Sequence, residues 1–380
     1  MKNRLFALLF FLLFLTGCGK EKIPEPSSPS INLLIETTEP VTTEIAPTFS
    51  AEATETTVTT QAPKISTELE PTSQSPSLPQ PQELEHPSTG YGLYDALIEK
   101  CIWASLNCYV EDLDILEEMQ ISTIFRYGKY NLSLCFTTMD IDNDGVEELV
   151  IHDRGMGNCV VYAAYSVDNS QLIWLLNGCE KNRYYLCTDG KIANHLPGGP
   201  LCSWTTYAYA NSTVSLIDCY FRDELRIEEH YWYYSQKEVF DPDAIMVSEE
   251  AFNDAVANME QTYMTLDGTT LQDYMAQDEQ AIRSDAALAA YREAQLHGKE
   301  KYQLWDTVLN RLWRILKYRL SSEEMKQLTQ EQLAWIDQKE AAAENVDSEK
   351  GFEIQAEYTK ERIDTLLGLL RETDYYVEEN

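Results

Sequence analysis

The chain has 380 residues, with 63 Asp or Glu against 29 Lys or Arg, for a formal net charge of −34. This charge excludes nucleic acid and anionic membrane surfaces as electrostatic partners and favours cationic proteins or metal ions. The length allows two modest domains, and the acidity concentrates between residues 89 and 275, where 30 acidic side chains face 10 basic ones.

The N-terminus carries Lys2 and Arg4, then an uncharged apolar run over residues 5–15. The run is too short for a mature transmembrane helix and has the layout of an export signal. It ends in Leu15-Thr16-Gly17-Cys18, which resembles the lipobox of bacterial lipoproteins. That resemblance implies a signal peptide over residues 1–18, lipidation of Cys18, and a membrane anchor made of acyl chains on the extracytoplasmic face.

Residues 19–88 hold 11 of the 14 prolines among Thr, Ser and Glu. Such a composition buries too little apolar surface to offset chain entropy, so a disordered linker is expected.

From residue 89 the pattern becomes that of a folded chain. Leu93, Leu97, Cys101, Ser105 and Cys108 recur at helical spacing. Beyond residue 126, β-branched and aromatic runs predict strands over 134–138, 148–152, 159–165, 172–175, 184–187, 203–209, 213–220 and 226–234. Turn residues at 167–170 and 188–190 predict hairpins, hence an antiparallel meander. Ser248 is placed to cap a helix around Phe252 and Val256. The eight cysteines after Cys18 all lie in this acidic segment, and either disulfides or buried thiols fit them.

Within the strands lies Asp140-Ile-Asp142-Asn-Asp144-Gly145-Val146-Glu147-Glu148. Alternating carboxylates before a glycine curl the chain so that oxygens converge on a hard cation. The loop resembles the D-x-D-x-D-G-x-x-[DE]-L sites of FG-GAP type. The resemblance implies structural calcium held by Asp140, Asp142, Asp144, the Val146 carbonyl and Glu148. A metal-free acidic turn is the alternative.

After residue 276 there is no proline or cysteine, and three apolar stripes at helical spacing follow. Ser321-Ser-Glu-Glu324 forms a capping box for the second helix. Trp335, beside Ile336 and in phase with Leu328, is expected to be a buried anchor where helices cross. The order Asp306-x-x-Leu309-Asn310-x-x-Trp313, Gln332-x-x-Trp335, Lys339-Glu340 and Thr359-x-x-Arg362 resembles the lysozyme inhibitor LprI-type domain over residues 285–372. Lys339 stands where that family has arginine. The resemblance implies a helical domain that binds a protein partner, lysozyme or another cationic protein.

The expected architecture is therefore α+β: an antiparallel sheet domain with flanking helices over residues 89–275, then a separate small all-α domain over 276–373. No nucleophile elbow, zincin or P-loop motif occurs, so a non-enzymatic surface protein is expected. The rival reading is a cell-wall glycan-binding module using the aromatic run 230–234.

Overall fold

A computed structural model describes residues 80–154, 159–225 and 231–372. The export signal, Cys18, residues 19–79 of the expected linker and His230 lie outside the described residues. Among the described residues, no helix is long and apolar enough to cross a membrane.

The fold is α+β, with an antiparallel sheet followed by a helical C-terminal region. Helix α1 (Gly92–Asn107) and the short α2 (Leu113–Glu118) lead through a 3-10 segment, Thr123–Ser133, into the strands. These are β1 (Cys135–Met139), β2 (Glu148–Asp153), β3 (Val160–Asp168), β4 (Gln171–Asn177), β5 (Arg183–Leu186) and β6 (Lys191–Leu196). The meander continues with β7 (Leu201–Ala210), β8 (Thr213–Asp223), β9 (Trp232–Ser235) and β10 (Ile245–Met246). Helix α3 (Glu249–Glu260) and β11 (Thr269–Thr270) follow, and then four helices: α4 (Leu271–Arg292), α5 (Gly298–Arg319), α6 (Ser322–Ala343) and α7 (Ser348–Glu372).

The sheet runs β10-β9-β8-β7-β6-β5-β3-β2-β1-β11, with β4 paired to β3 outside this path. Most consecutive strands pair, the exceptions being β4 with β5 and β10 with β11, and two of the connections are tight. Asn169 and Ser170, and Asn211 and Ser212, carry the positive φ angles that close two-residue hairpins. Both turns follow the right-handed twist of their strands. The strand expected at 226–234 begins only at Trp232 among the described residues.

Strand β2 is buried on both faces. Leu149 and Ile151 join the apolar core beneath the helices, while Val150 points into a second core with Val161, Ala164 and Ile192. Its unbroken apolar run reflects this two-sided burial. On α1 the buried stripe includes Tyr94, Leu97, Ile98 and Cys101, and Leu93 is exposed.

The C-terminal helices share a core with the sheet. One apolar cluster continues from Leu149, Ile151 and Tyr165 through Ile98 and Ile102 of α1 to Leu312 and Leu316 of α5 and Ile363 and Leu366 of α7. Trp103 Nε1 of α1 donates to the Leu320 carbonyl at 3.1 Å. The boundary expected between residues 275 and 276 falls inside α4. Amphipathic stripes locate helices, but they do not say which other element each stripe meets.

The end of the expected linker is tied down by polar contacts. His86 Nδ1 bonds Asp278, His86 Nε2 lies 2.9 Å from Asp285 Oδ2, and the Gln82 carbonyl accepts from the Ser284 hydroxyl. All three contacts reach α4. His86 supplies two of these contacts in a stretch whose composition reads as solvated.

All eight cysteines from Cys101 to Cys219 are free thiols, and seven of them are buried. The alternatives left open by the sequence therefore resolve toward small apolar core residues. Burial pushes the thiols of Cys108 and Cys219 up to about 11.

Candidate functional site

The acidic loop joins β1 to β2 at a hairpin that pairs Met139 with Glu148. Gly145, at φ +91°, adopts a conformation that L side chains rarely take, so the turn requires glycine. Asp140 accepts the Asp144 and Gly145 amides, each at 3.0 Å, and Asp144 Oδ1 accepts the Val146 amide at 2.8 Å. These bonds curl the loop and bring oxygens of Asp140, Asp142 and Glu148 within 4.8 Å of one another. Asp144 is not in that group, since its carboxylate turns back to the Val146 amide.

Glu148 is fully buried. Its Oε2 accepts the Ile141 amide at 2.9 Å, and its Oε1 accepts the Ser166 hydroxyl at 3.0 Å and the Tyr209 hydroxyl at 2.9 Å. All three donors are neutral, and burial pushes the carboxyl above its ordinary value despite them. Asp142 Oδ2 accepts the Asn211 amide at 2.9 Å, anchoring the loop to the β7–β8 turn. Asp142 Oδ1 is buried with no partner. An orphaned carboxylate oxygen beside two converging carboxylates fits a hard, oxygen-seeking cation, and no imidazole or thiolate is in the group to favour a softer one.

The helical residues read from the sequence divide into two polar ties, two core-packing positions and one exposed glutamate. Asn310 Nδ2 donates to Asp306 Oδ2 at 3.1 Å, and the Tyr302 hydroxyl reaches Asp306 Oδ1 at 3.4 Å. Lys339 is buried and donates to that same Tyr302 hydroxyl at 3.0 Å. Its Nζ stands 5.0 Å from the ring centroids of both Tyr302 and Trp335. A cation between two aromatic faces thus links α5 to α6. The second tie is Arg362 Nε to Gln332 Oε1 at 2.9 Å, between α7 and α6. Leu309 is buried, Trp313 packs half-buried against the core, and Glu340 is exposed.

Trp335 departs from its expected role. It is half-buried against the core, and the buried residues of α6 are Leu328 and Lys339. With α6 packed mainly against α7 and touching α5 through Lys339, a ring at the flank of its stripe stays partly open. The buried anchor is Trp305, 2% exposed, whose Nε1 donates to Glu293 at 3.0 Å.

Residues 298–366 match the family Lysozyme inhibitor LprI. The match spans α5, α6 and most of α7, and it includes every motif residue from Asp306 to Arg362. No curated protein and no solved structure matches the chain. The name of that family describes inhibition of lysozyme.

The aromatic run on β9 alternates between faces. Tyr233 is buried and stacks on Phe221 at 5.3 Å, while Tyr234 meets Tyr220 on the opposite side. Alternation along a strand divides these rings between two faces instead of laying them in one strip.

The sequence reading did not find the cluster around His86. His86, Asp278, Asp285, Arg311, Arg314 and Tyr318 come from three separate segments. Its only sequence signal is two aspartates seven residues apart on α4, two helical turns along one face.

Proposed function

We propose that this chain is a lipid-anchored extracytoplasmic protein whose LprI domain binds a cationic protein, with lysozyme as the first partner to test. The observation that carries the reading is the LprI match over residues 298–366. The surface of α6 supports it. Glu323, Glu331, Asp337 and Glu340 are exposed along that helix, and Lys326 is its one exposed base. Leu333, 59% exposed, lies one turn from Asp337 and two turns from Glu340 on the same side of the helix. Negative charge around an apolar contact speeds encounter with a cationic partner and excludes acidic ones.

A turbidity assay of lysozyme with the chain from residue 19 onward tests this reading. Inhibition that is weakened by the triple variant Glu331→Lys, Asp337→Lys, Glu340→Lys supports it. No inhibition and no complex with lysozyme at low salt refutes it. The anchor rests on the Cys18 lipobox. Cys18→Ser is expected to release the protein from the membrane fraction of its host.

Calcium in the 140–148 loop belongs to the same reading as a structural ion. Asp140, Asp142 and Glu148 would hold it, and its charge would compensate the carboxylates that the fold brings together there. No catalytic step is assigned to it.

A further inference from the structure

A cavity of about 480 Å³ opens where residues 82–86 meet the C-terminal helices, lined by His86, Thr307, Asn310, Arg311 and Arg314. Asn310, Arg311 and Arg314 have more N–H donors than their internal bonds use, and two of these residues are permanent cations, in a chain whose net charge is −34. The carboxylates that fix the cations lie behind them, with Asp278 fully buried and Asp285 8% exposed. Arg314 Nη2 sits 2.8 and 2.9 Å from the two oxygens of Asp278, which also accepts the Tyr318 hydroxyl at 2.8 Å.

Arg311 uses Nη1 on Asp285 at 2.6 Å, yet its side chain remains half exposed. Arg314 Nε is buried without a partner. The third nearby carboxylate, Glu99, lies 3.4 Å from Arg314 Nη1, and burial pushes its carboxyl upward, which weakens its claim on the guanidinium. The two partners of His86 hold its imidazole protonated at neutral pH, with its pKa raised to about 9.

The arrangement separates charge, with buried carboxylates behind and cationic edges toward the cavity. Two guanidinium groups oriented in advance bind planar or tetrahedral oxyanions at little further entropic cost. The volume is many times that of a water molecule and suits a ligand with more than one anionic group.

We propose that this cavity binds a small polyoxyanion, an organic phosphate or a polycarboxylate, held by Arg311 and Arg314, with the His86 imidazolium, whose two N–H groups stay on Asp278 and Asp285, adding positive charge beside them. The site needs both the segment around His86 and helix α5, so ligand binding and docking of residues 82–86 strengthen each other. This inference does not depend on the protein-binding reading of α6.

The test uses calorimetry and thermal unfolding of the chain from residue 19 onward with pyrophosphate and with citrate, at ionic strength fixed by sodium chloride. Saturable binding of at least one of them is expected, with a rise in Tm. A response to pyrophosphate alone assigns a phosphate ligand, and a response to citrate alone assigns a polycarboxylate. Arg311→Gln, which leaves Asp285 paired with His86, is expected to weaken affinity about tenfold or more. Lys326→Gln, on the exposed side of α6, is expected to leave it unchanged. No saturable binding of either anion, or equal affinity in Arg311→Gln, overturns the proposal.

Discussion

The sheet and the helices each bury carboxylates, and they stabilise them in opposite ways. Glu148 is surrounded by an amide and two hydroxyls, all neutral, and its carboxyl is pushed above its ordinary value by burial. Burial acts upward on Asp285 too, but the bonds from His86 and Arg311 outweigh it and hold that carboxyl below its ordinary value. A hydrogen bond from a neutral group satisfies an oxygen's geometry without cancelling its charge. The helical carboxylates are therefore matched by cations of the fold itself, whereas the loop is left with negative charge that an added cation would offset.

Removing a carboxylate should hurt the helical cluster most, because each of its carboxylates serves several partners. Asp278→Ala strips partners from His86, Arg314 and Tyr318 at once, and is expected to cost roughly 3–5 kcal/mol, read from the denaturant midpoint of the full chain. If the loss is under about 1 kcal/mol, the cluster is dispensable and the comparison fails.

Titration sharpens the same contrast. His86 has its pKa raised from 6.5 to about 9, so its contribution is fully present below 6.5 and is lost as pH rises through about 9. The groups facing it are Asp278 and Asp285, with Arg311, Arg314, Glu99, Tyr274 and Tyr318 around them. The stability difference between wild type and His86→Gln is expected to be on the order of 3 kcal/mol at neutral pH. It should shrink by pH 10, and a difference that stays constant from pH 6 to 10 would refute the assignment.

On the loop side, calcium at about a hundred times its dissociation constant should add about 2.7 kcal/mol of stability by mass action. Asp142→Ala is expected to remove that gain, which is measured as the calcium-dependent rise in Tm. The smallest effect expected is at the aromatic pair that sandwiches Lys339. Trp335→Ala should cost about 2 kcal/mol, less than a fully buried tryptophan, because the ring is half open. Trp305→Ala, measured alongside by thermal unfolding, is expected to lose more.

Local chemistry was the most legible part of the sequence. The Ser248 cap accepts the Ala251 amide, and the Ser321–Glu324 capping box has both of its bonds. Both were readable because all their partners lie within three residues. The loop at 140–148 was legible as a curl, but its oxygens split, since the use of Asp144 on Val146 depends on side-chain rotamers. Strands β10 and β11, two residues each, leave no periodicity to read. Helix phase alone could not rank Trp335 against Lys339 for burial, because the answer depends on where α7 and Tyr302 of α5 meet α6. His86 was illegible for a different reason: its partners lie 192 and 199 residues away.

The free thiols set how this molecule can be interrogated. With seven of the eight thiols from Cys101 to Cys219 buried, this part of the native fold needs no oxidant and withholds its cysteines from alkylating reagents. Half-exposed Cys179 serves as the internal reference, reacting before the others. Each further label incorporated under native conditions then records an opening of the surrounding core. Cys101 reports on the layer shared by sheet and helices, and Cys219 on the far strands. The protein thus carries its own set of probes for which part of it breathes first.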